Sequence, residues 1–172
     1  AGTLTAATMT STSTAATTMN TDSDAAATLT SAADMVIEAA AATTIIATST
    51  GGSITATAND PVAATSVTLT AKDEISIDLE AAATATISAG GTTASDINDA
   101  LGDTLTSLSL SGNATSHTFD ITDSEGVASI TITGDQDVTV VASAADLELL
   151  DTQLSLVDNS SAVSTLRLGT SS

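Results

Sequence analysis

The 172-residue chain has no cysteine, which excludes a disulfide framework and any thiolate metal centre. It has no tryptophan or tyrosine and a single phenylalanine, Phe119, so aromatic volume cannot fill a broad core and the usual sugar-stacking platforms are missing. Lys72 and Arg167 are the only basic residues, set against 21 acidic ones. The resulting formal charge of −19 repels nucleic acid and anionic lipid, so neither is an expected partner. No apolar run approaches the roughly 20 residues of a membrane helix, and membrane insertion is not expected. The densest stretch, from Ala39 to Ala47, is interrupted by Thr43 and Thr44.

With one histidine, His117, the chain is also poorly equipped for catalysis. A Ser/His/Asp site needs its imidazole oriented by a carboxylate, and His117 reads instead as a surface residue at a strand end. A carboxylate pair for glycoside hydrolysis would lack aromatic platforms. The chain reads as a non-enzyme.

What is present is alanine, threonine, serine and aliphatic residues in short alternation. Hydrophobic residues make up 42% and charged ones only 13%, too apolar a balance for a disordered acidic tail. Much of that hydrophobicity is alanine, which implies a thin aliphatic core between closely facing sheets. The organising phrase is Leu105-Thr-Ser-Leu-Ser-Leu-Ser-Gly-Asn113, answered 22 residues later by Val127-Ala-Ser-Ile-Thr-Ile-Thr-Gly-Asp135. Its fourth and sixth positions share a strand face, whereas the step from the first to the fourth crosses faces and implies a bend. Weaker echoes start at 64, 84, 147 and 163, giving spacings of 20, 21, 22, 20 and 16. A strand recurring at this pitch predicts a solenoid whose coils bury their apolar rows only by stacking. The fold class is therefore all-β, a parallel β-solenoid-like stack of short strands, with a β-sandwich as the alternative.

Residues 1–24 read as an Ala/Thr/Ser-rich arm: an edge strand, a linker, or a segment completed by a neighbouring molecule. Residues 25–172 read as the β-rich domain, with the clearest repeats over 64–169. Between Ala25 and Ala58 a helix capped by Ser31 competes with strands, and the alternation at Met35/Ile37 and the β-branched run Thr43–Ile46 favour strands. Ser66–Glu80 is plain β text, with Val67/Leu69 and Ile75/Ile77/Leu79 alternating around a turn at Ala71–Asp73. Ser95–Gly102 carries a Ser cap, acidic residues in the first turn, Ile97 and Leu101 four apart, and a terminal Gly, so one short helix is predicted over 95–101. Thr118–Ile121 and Val138–Val141 read as return strands. The C-terminus and the arm show no cap, so the ends are expected to continue into a longer solenoid or to be completed by neighbouring copies, with strand addition by the arm.

Leu108-Ser-Leu-Ser-Gly-Asn113, Ile130-Thr-Ile-Thr-Gly-Asp-Gln-Asp-Val-Thr-Val140 and Leu147-Glu-Leu-Leu-Asp151 together resemble repeat units of large secreted bacterial S-layer proteins and RTX-type adhesins. The resemblance covers roughly Ser95 to Gly169 and implies parallel solenoid coils in a calcium-dependent, self-assembling protein that is secreted to the cell surface. The Gly-Gly-x-Gly-x-Asp nonapeptide of RTX rolls is absent, so calcium ligands do not follow by motif.

Carboxylate clustering supplies its own candidates, because calcium takes six to eight oxygens from carboxylates and loop carbonyls. Asp120, Asp123 and Glu125 fall between two predicted strands, and Asp135 and Asp137 stand at the turn of the following coil. Further acidic groups occur at Asp73/Glu74, Asp96/Asp99/Asp103 and Asp146/Glu148/Asp151. Asn113 and Asn159 lie in glycosylation sequons. The expected function is a structural self-assembling subunit or segment of an extracellular surface layer or filament, stabilised by calcium, with copies of itself as partner. The alternatives are a binding module of a surface adhesin, ice binding included, and a viral surface protein. Thr-x-Thr pairs at Thr3, Thr8, Thr55, Thr68, Thr84 and Thr131 suit an ice face, but their irregular spacing along the chain counts against a regular ladder.

Overall fold

The computed structural model describes residues 7–20, 26–38, 42–56, 64–79, 81–98, 104–124, 127–143, 155–158 and 160–169. These form sixteen short strands, and no helix occurs among them. Odd-numbered strands build one parallel sheet, here the first wall: β1 (Ala7–Ser11), β3 (Ala26–Ser31), β5 (Thr44–Ser49), β7 (Ser66–Ala71), β9 (Thr84–Ala89), β11 (Ser107–Gly112), β13 (Ser129–Thr133) and β15 (Ser155–Asp158). Even-numbered strands build the second wall: β2 (Thr17–Asn20), β4 (Met35–Glu38), β6 (Ile54–Ala56), β8 (Ile75–Asp78), β10 (Ser95–Asn98), β12 (His117–Asp120), β14 (Val138–Ser143) and β16 (Ser164–Gly169). Each coil thus crosses the molecule twice, and every strand pairs only with the same strand of adjacent coils. The fold is a two-walled parallel β-solenoid.

Alternation explains the two walls. In β7, Val67, Leu69 and Ala71 are buried while Ser66, Thr68 and Thr70 face outward, and β5 repeats the pattern with Ile45, Ala47 and Ser49 inside. Inward residues stack in columns. Leu29, Ala47, Leu69, Ile87, Leu110 and Ile132 follow one another through the first wall, and Ile37, Ala56, Ile77 and Ile97 do so through part of the second. Alanine among the leucines and isoleucines keeps the slab thin. Leu105 and Val127, the first letters of the organising phrase, are buried at the corner that leads into β11 and β13.

Register, not chain distance, fixes the repeat. Ala7, Ala27, Ile45, Val67, Ala85, Leu108, Ile130 and Leu156 occupy one register position, so successive coils are 20, 18, 22, 18, 23, 22 and 26 residues long. Three expected frames therefore move. The echo placed at Thr84 starts two residues earlier, at the buried Ala82, because Ala85 and Ile87 are the core pair. The strand expected from the echo at 147 is instead β15, while Leu147, Leu150 and Thr152 lie outside the described residues. The echo at 163 belongs to the second wall, where Leu166 pairs with Val140.

The predicted helix over 95–101 is a strand where it is described. β10 pairs with β8 on one side and β12 on the other, with Ser95 and Ile97 inside and Asp96 outside. Two neighbouring strands offer a full ladder of backbone partners, which outweighs a local helix signal of one or two turns. Residues 99–103 lie outside the described residues. In the stretch read as an arm, Ala7–Ser11 and Thr17–Asn20 form β1 and β2 and pair with β3 and β4.

The corners from first to second wall are tight. Ser11, Ser31, Ser49, Ala71, Ala89 and Gly112 share the last register position of the first wall, and all of them are small. The serines also satisfy corner amides: Ser49 Oγ donates to the Ala33 carbonyl at 2.8 Å and accepts from the Gly52 amide at 3.1 Å. A Cβ on Gly90 would sit 2.5 Å from the Lys72 carbonyl oxygen and 2.6 Å from that of Asn113, between the corners of the two adjoining coils. Glycine is required there by close approach. One coil later, Ala114 adopts φ 65°, the left-handed region that Gly91 occupies with φ 80°.

Candidate functional site

The outward surfaces of the two walls differ in chemistry. On the first wall, Thr8, Thr28, Ile46, Thr68, Thr86, Ser109, Thr131 and Val157 form a middle column. Thr10, Thr30, Thr48, Thr70, Ser88, Ser111 and Thr133 form the column beside it. Thr44, Ser66, Thr84, Ser107 and Ser129 form a third. Rungs of a parallel sheet lie about 4.8 Å apart and alternate residues along a strand about 6.6 Å apart, so the hydroxyls occupy a two-dimensional grid. Asp158 of β15 is the only acidic residue in any first-wall strand.

This grid corrects the expectation drawn from irregular spacing. Thr8/Thr10, Thr68/Thr70 and Thr131/Thr133 stand in the same two columns although their separations in the chain are unequal. The corners absorb the difference in coil length, and backbone pairing keeps the strands aligned. Thr55 faces outward on the second wall, and Thr3, Thr5 and Thr57 lie outside the described residues.

Within the described strands, every carboxylate but that of Asp158 belongs to the second wall. Glu38, Asp78, Asp96 and Asp120 face outward from β4, β8, β10 and β12. Asparagine is the register neighbour of two of them: Asn20 lies beside Glu38 and donates from Nδ2 to Oε2 at 3.0 Å, and Asn98 lies beside Asp78. Asp96 and Asp120 are direct neighbours, a like-charge pair. Desolvation, and then the charges of Asp120 and Asp123, push the Asp96 carboxyl above the usual carboxylate range.

Of the candidate calcium ligands, Asp120 and Asp123 lie at the end of β12, whereas Asp135 and Asp137 lie in the corner that precedes β14. β12 and β14 run parallel in register, so the two groups stand at opposite edges of the slab. Glu125 lies outside the described residues. Asp120 Oδ1 accepts from the Thr122 amide at 3.1 Å and its hydroxyl at 2.8 Å, closing a turn after β12. Asp137 Oδ1 accepts from the Val163 amide at 3.0 Å and ties two corners together, and Asp135 Oδ1 accepts from Gln136 Nε2 at 3.2 Å. Among the described residues no three acidic or histidine side chains converge to hold a metal ion. One carboxylate oxygen of each of Asp120, Asp135 and Asp137 is thus held in a local or corner-to-corner hydrogen bond.

His117 is buried, at 4% exposure, contrary to its reading as a surface residue. β12 is set two residues along relative to β10, so that Phe119 rather than His117 faces Ser95. The Ile75 amide lacks the corner carbonyl that the Met35, Ile54 and His117 amides find in the next coil. Ser95 Oγ takes that place, accepting from the Ile75 amide at 2.8 Å, and lies 2.8 Å from His117 Nε2. With the Gly91 backbone partnering the imidazole, the assignment that satisfies every group has Nδ1–H donating to the Gly91 carbonyl and Nε2 accepting the Ser95 proton. Burial lowers the His117 pKa and keeps the ring neutral, against smaller opposing effects of Gly91 and Glu74. The ring stands edge-on to Phe119, centroids 4.9 Å apart at 75°. Ser95 is fully buried, and the pair works as a tie across the register shift. Sequence reasoning missed it because Ser95 and His117 meet only through that shift. An open cavity of about 380 Å³ lies outside it, lined by Gly91, Thr92, Thr93, Ala94, Ser116, His117, Thr118, Asp137 and Thr139.

Asn113 is also engaged. Its Nδ2 donates to the Ala71 carbonyl, two coils away, at 2.7 Å, a bond that a glycan on that nitrogen would disturb. Asn159 lies outside the described residues.

Comparison of the chain with protein-family models, curated proteins and solved structures finds no match.

Proposed function

We propose that the chain is a structural, self-assembling segment of an extracellular surface layer or filament. The observation that supports this reading is the open stack. Among the described strands, β1 and β2 at one end and β15 and β16 at the other have a hydrogen-bonded neighbour on one side only. A solenoid with free backbone edges extends by the pairing that holds its own coils together, with copies of itself as partners. The S-layer and RTX resemblance points the same way, to secretion and the cell surface. Calcium enters this reading as a cation that relieves repulsion on the acidic wall, centred on Asp96, Asp120 and Asp123.

Electron microscopy of the purified chain with calcium and with chelator tests the proposal. Ordered sheets or filaments are expected with calcium, and fewer with chelator. Monodisperse single particles over the whole accessible concentration range would refute the assembly, and identical images with and without chelator would refute the role of calcium.

A further inference from the structure

We propose that the outward face of the first wall binds ice. Three observations carry this beyond the assembly reading. The hydroxyl columns stay in register across coils of unequal length, which gives a regular grid of about 4.8 by 6.6 Å, the kind of periodic surface that adsorption to a crystalline water lattice requires. Within the described strands of this wall the only carboxylate is Asp158 of the terminal strand β15, in register with the inward-facing Ile132, so strongly hydrated carboxylates of these strands do not compete for the water layer above the grid. Threonine dominates the first two columns, each side chain pairing a methyl group with a hydroxyl.

The physical argument is one of summation. A single hydroxyl gains little by exchanging liquid water for ice, because either partner satisfies it. A rigid grid matched to the lattice holds many such groups in place beforehand, so ordering them adds no entropy cost on adsorption. The methyl groups between them favour removal from liquid water. Stacking on the second wall at every coil counters the twist that an open sheet accumulates, which a planar ligand requires. A crystalline polysaccharide fits less well, since the chain has no Trp or Tyr and Phe119 is buried. A second copy of the chain also fits less well, since Ile46 and Val157 are the only large apolar side chains exposed on this face among the described residues.

The test is incorporation of the intact chain into a slowly growing ice polycrystal, beside a control protein that ice excludes. The wild-type chain should enter the ice. Thr68→Tyr with Thr131→Tyr places bulk in the middle column at positions where tyrosine suits a strand, and should reduce incorporation to the level of the excluded control while circular dichroism and melting temperature hold. Thr68→Lys with Thr131→Lys guards against a folding failure and should do the same. Thr55→Tyr with Thr139→Tyr, on the second wall, should leave incorporation unchanged. Exclusion of the wild-type chain from ice overturns the inference, as does equal loss from variants of either wall. First-wall variants that dissociate a dimer without any effect on ice would also overturn it and assign the face to a second copy. A monomer that enters ice would sink the assembly reading alone.

Discussion

The first wall keeps one register from β1 to β15 and presents hydroxyls almost throughout, whereas the second wall shifts by two residues between β10 and β12 and presents acid. Both are built from the same alternating text, and both bury an aliphatic row. The difference shows what each can tolerate. A change of register on the second wall is sealed by Ser95, His117 and Phe119. A similar shift on the first wall would keep outward residues outward but change which residue continues each column.

The largest way to break this contrast is through the core under the shift. Phe119→Ala removes the only aromatic side chain and should destabilise the fold by about 3–5 kcal/mol, read by chemical denaturation. Leu108→Ala, under the regular wall, should cost about 2–5 kcal/mol. A loss from Phe119→Ala below that from Leu108→Ala would show that the shifted segment is loosely held. Next comes Gly90→Ala, whose Cβ meets backbone carbonyls on both sides and should cost about 1–3 kcal/mol through overpacking. Ser95→Ala leaves the Ile75 amide and His117 Nε2 unsatisfied, at about 1–3 kcal/mol.

Titration sharpens the comparison with smaller effects. His117 has a lowered pKa when folded, so the unfolded chain takes its proton more readily and stability falls as pH drops below the ordinary histidine value. The loss should level off below the folded pKa, and His117→Gln should flatten this limb of a plot of melting temperature against pH. Asp96 behaves in the opposite sense. Its raised pKa means that the folded chain takes the proton more readily, so its unfavourable contribution is complete above the folded pKa and disappears as pH falls toward the ordinary aspartate value. Asp96→Asn should therefore raise the melting temperature at neutral pH, and no rise would place the repulsion elsewhere. Ala114→Gly, which relieves a left-handed φ, should give the smallest change, a gain of about 1 kcal/mol or less.

The residues show why some of this was legible in sequence and some was not. The phrase at Leu105 and Val127 announces itself because large aliphatics alternate with hydroxyls, and the strands between Ala25 and Ala58 follow from Met35/Ile37 and Ile45. Where alanine holds the core position, as Ala82 and Ala85 do, the frame slips, because alanine is equally common outside. Ser95–Asn98 carries real helix signals that two neighbouring strands override. Asp120 and Asp135 look like successive members of one set, yet they belong to opposite edges, since one follows its strand and the other precedes the next. The hydroxyl grid was hidden for a related reason: unequal corners disguise equal strands.

Register along the first wall is thus the central claim, and paired cysteines test it in a chain that has none of its own. Thr68→Cys with Thr86→Cys spans an 18-residue coil, and Thr86→Cys with Ser109→Cys spans a 23-residue one. Directly opposed residues of adjacent strands lie about 4.8 Å apart, within disulfide reach. Both pairs should close to completion under mild oxidation, and Thr86→Cys with Ser107→Cys or Ser111→Cys should not. Preferential closure of either offset pair would contradict the grid and everything argued from it.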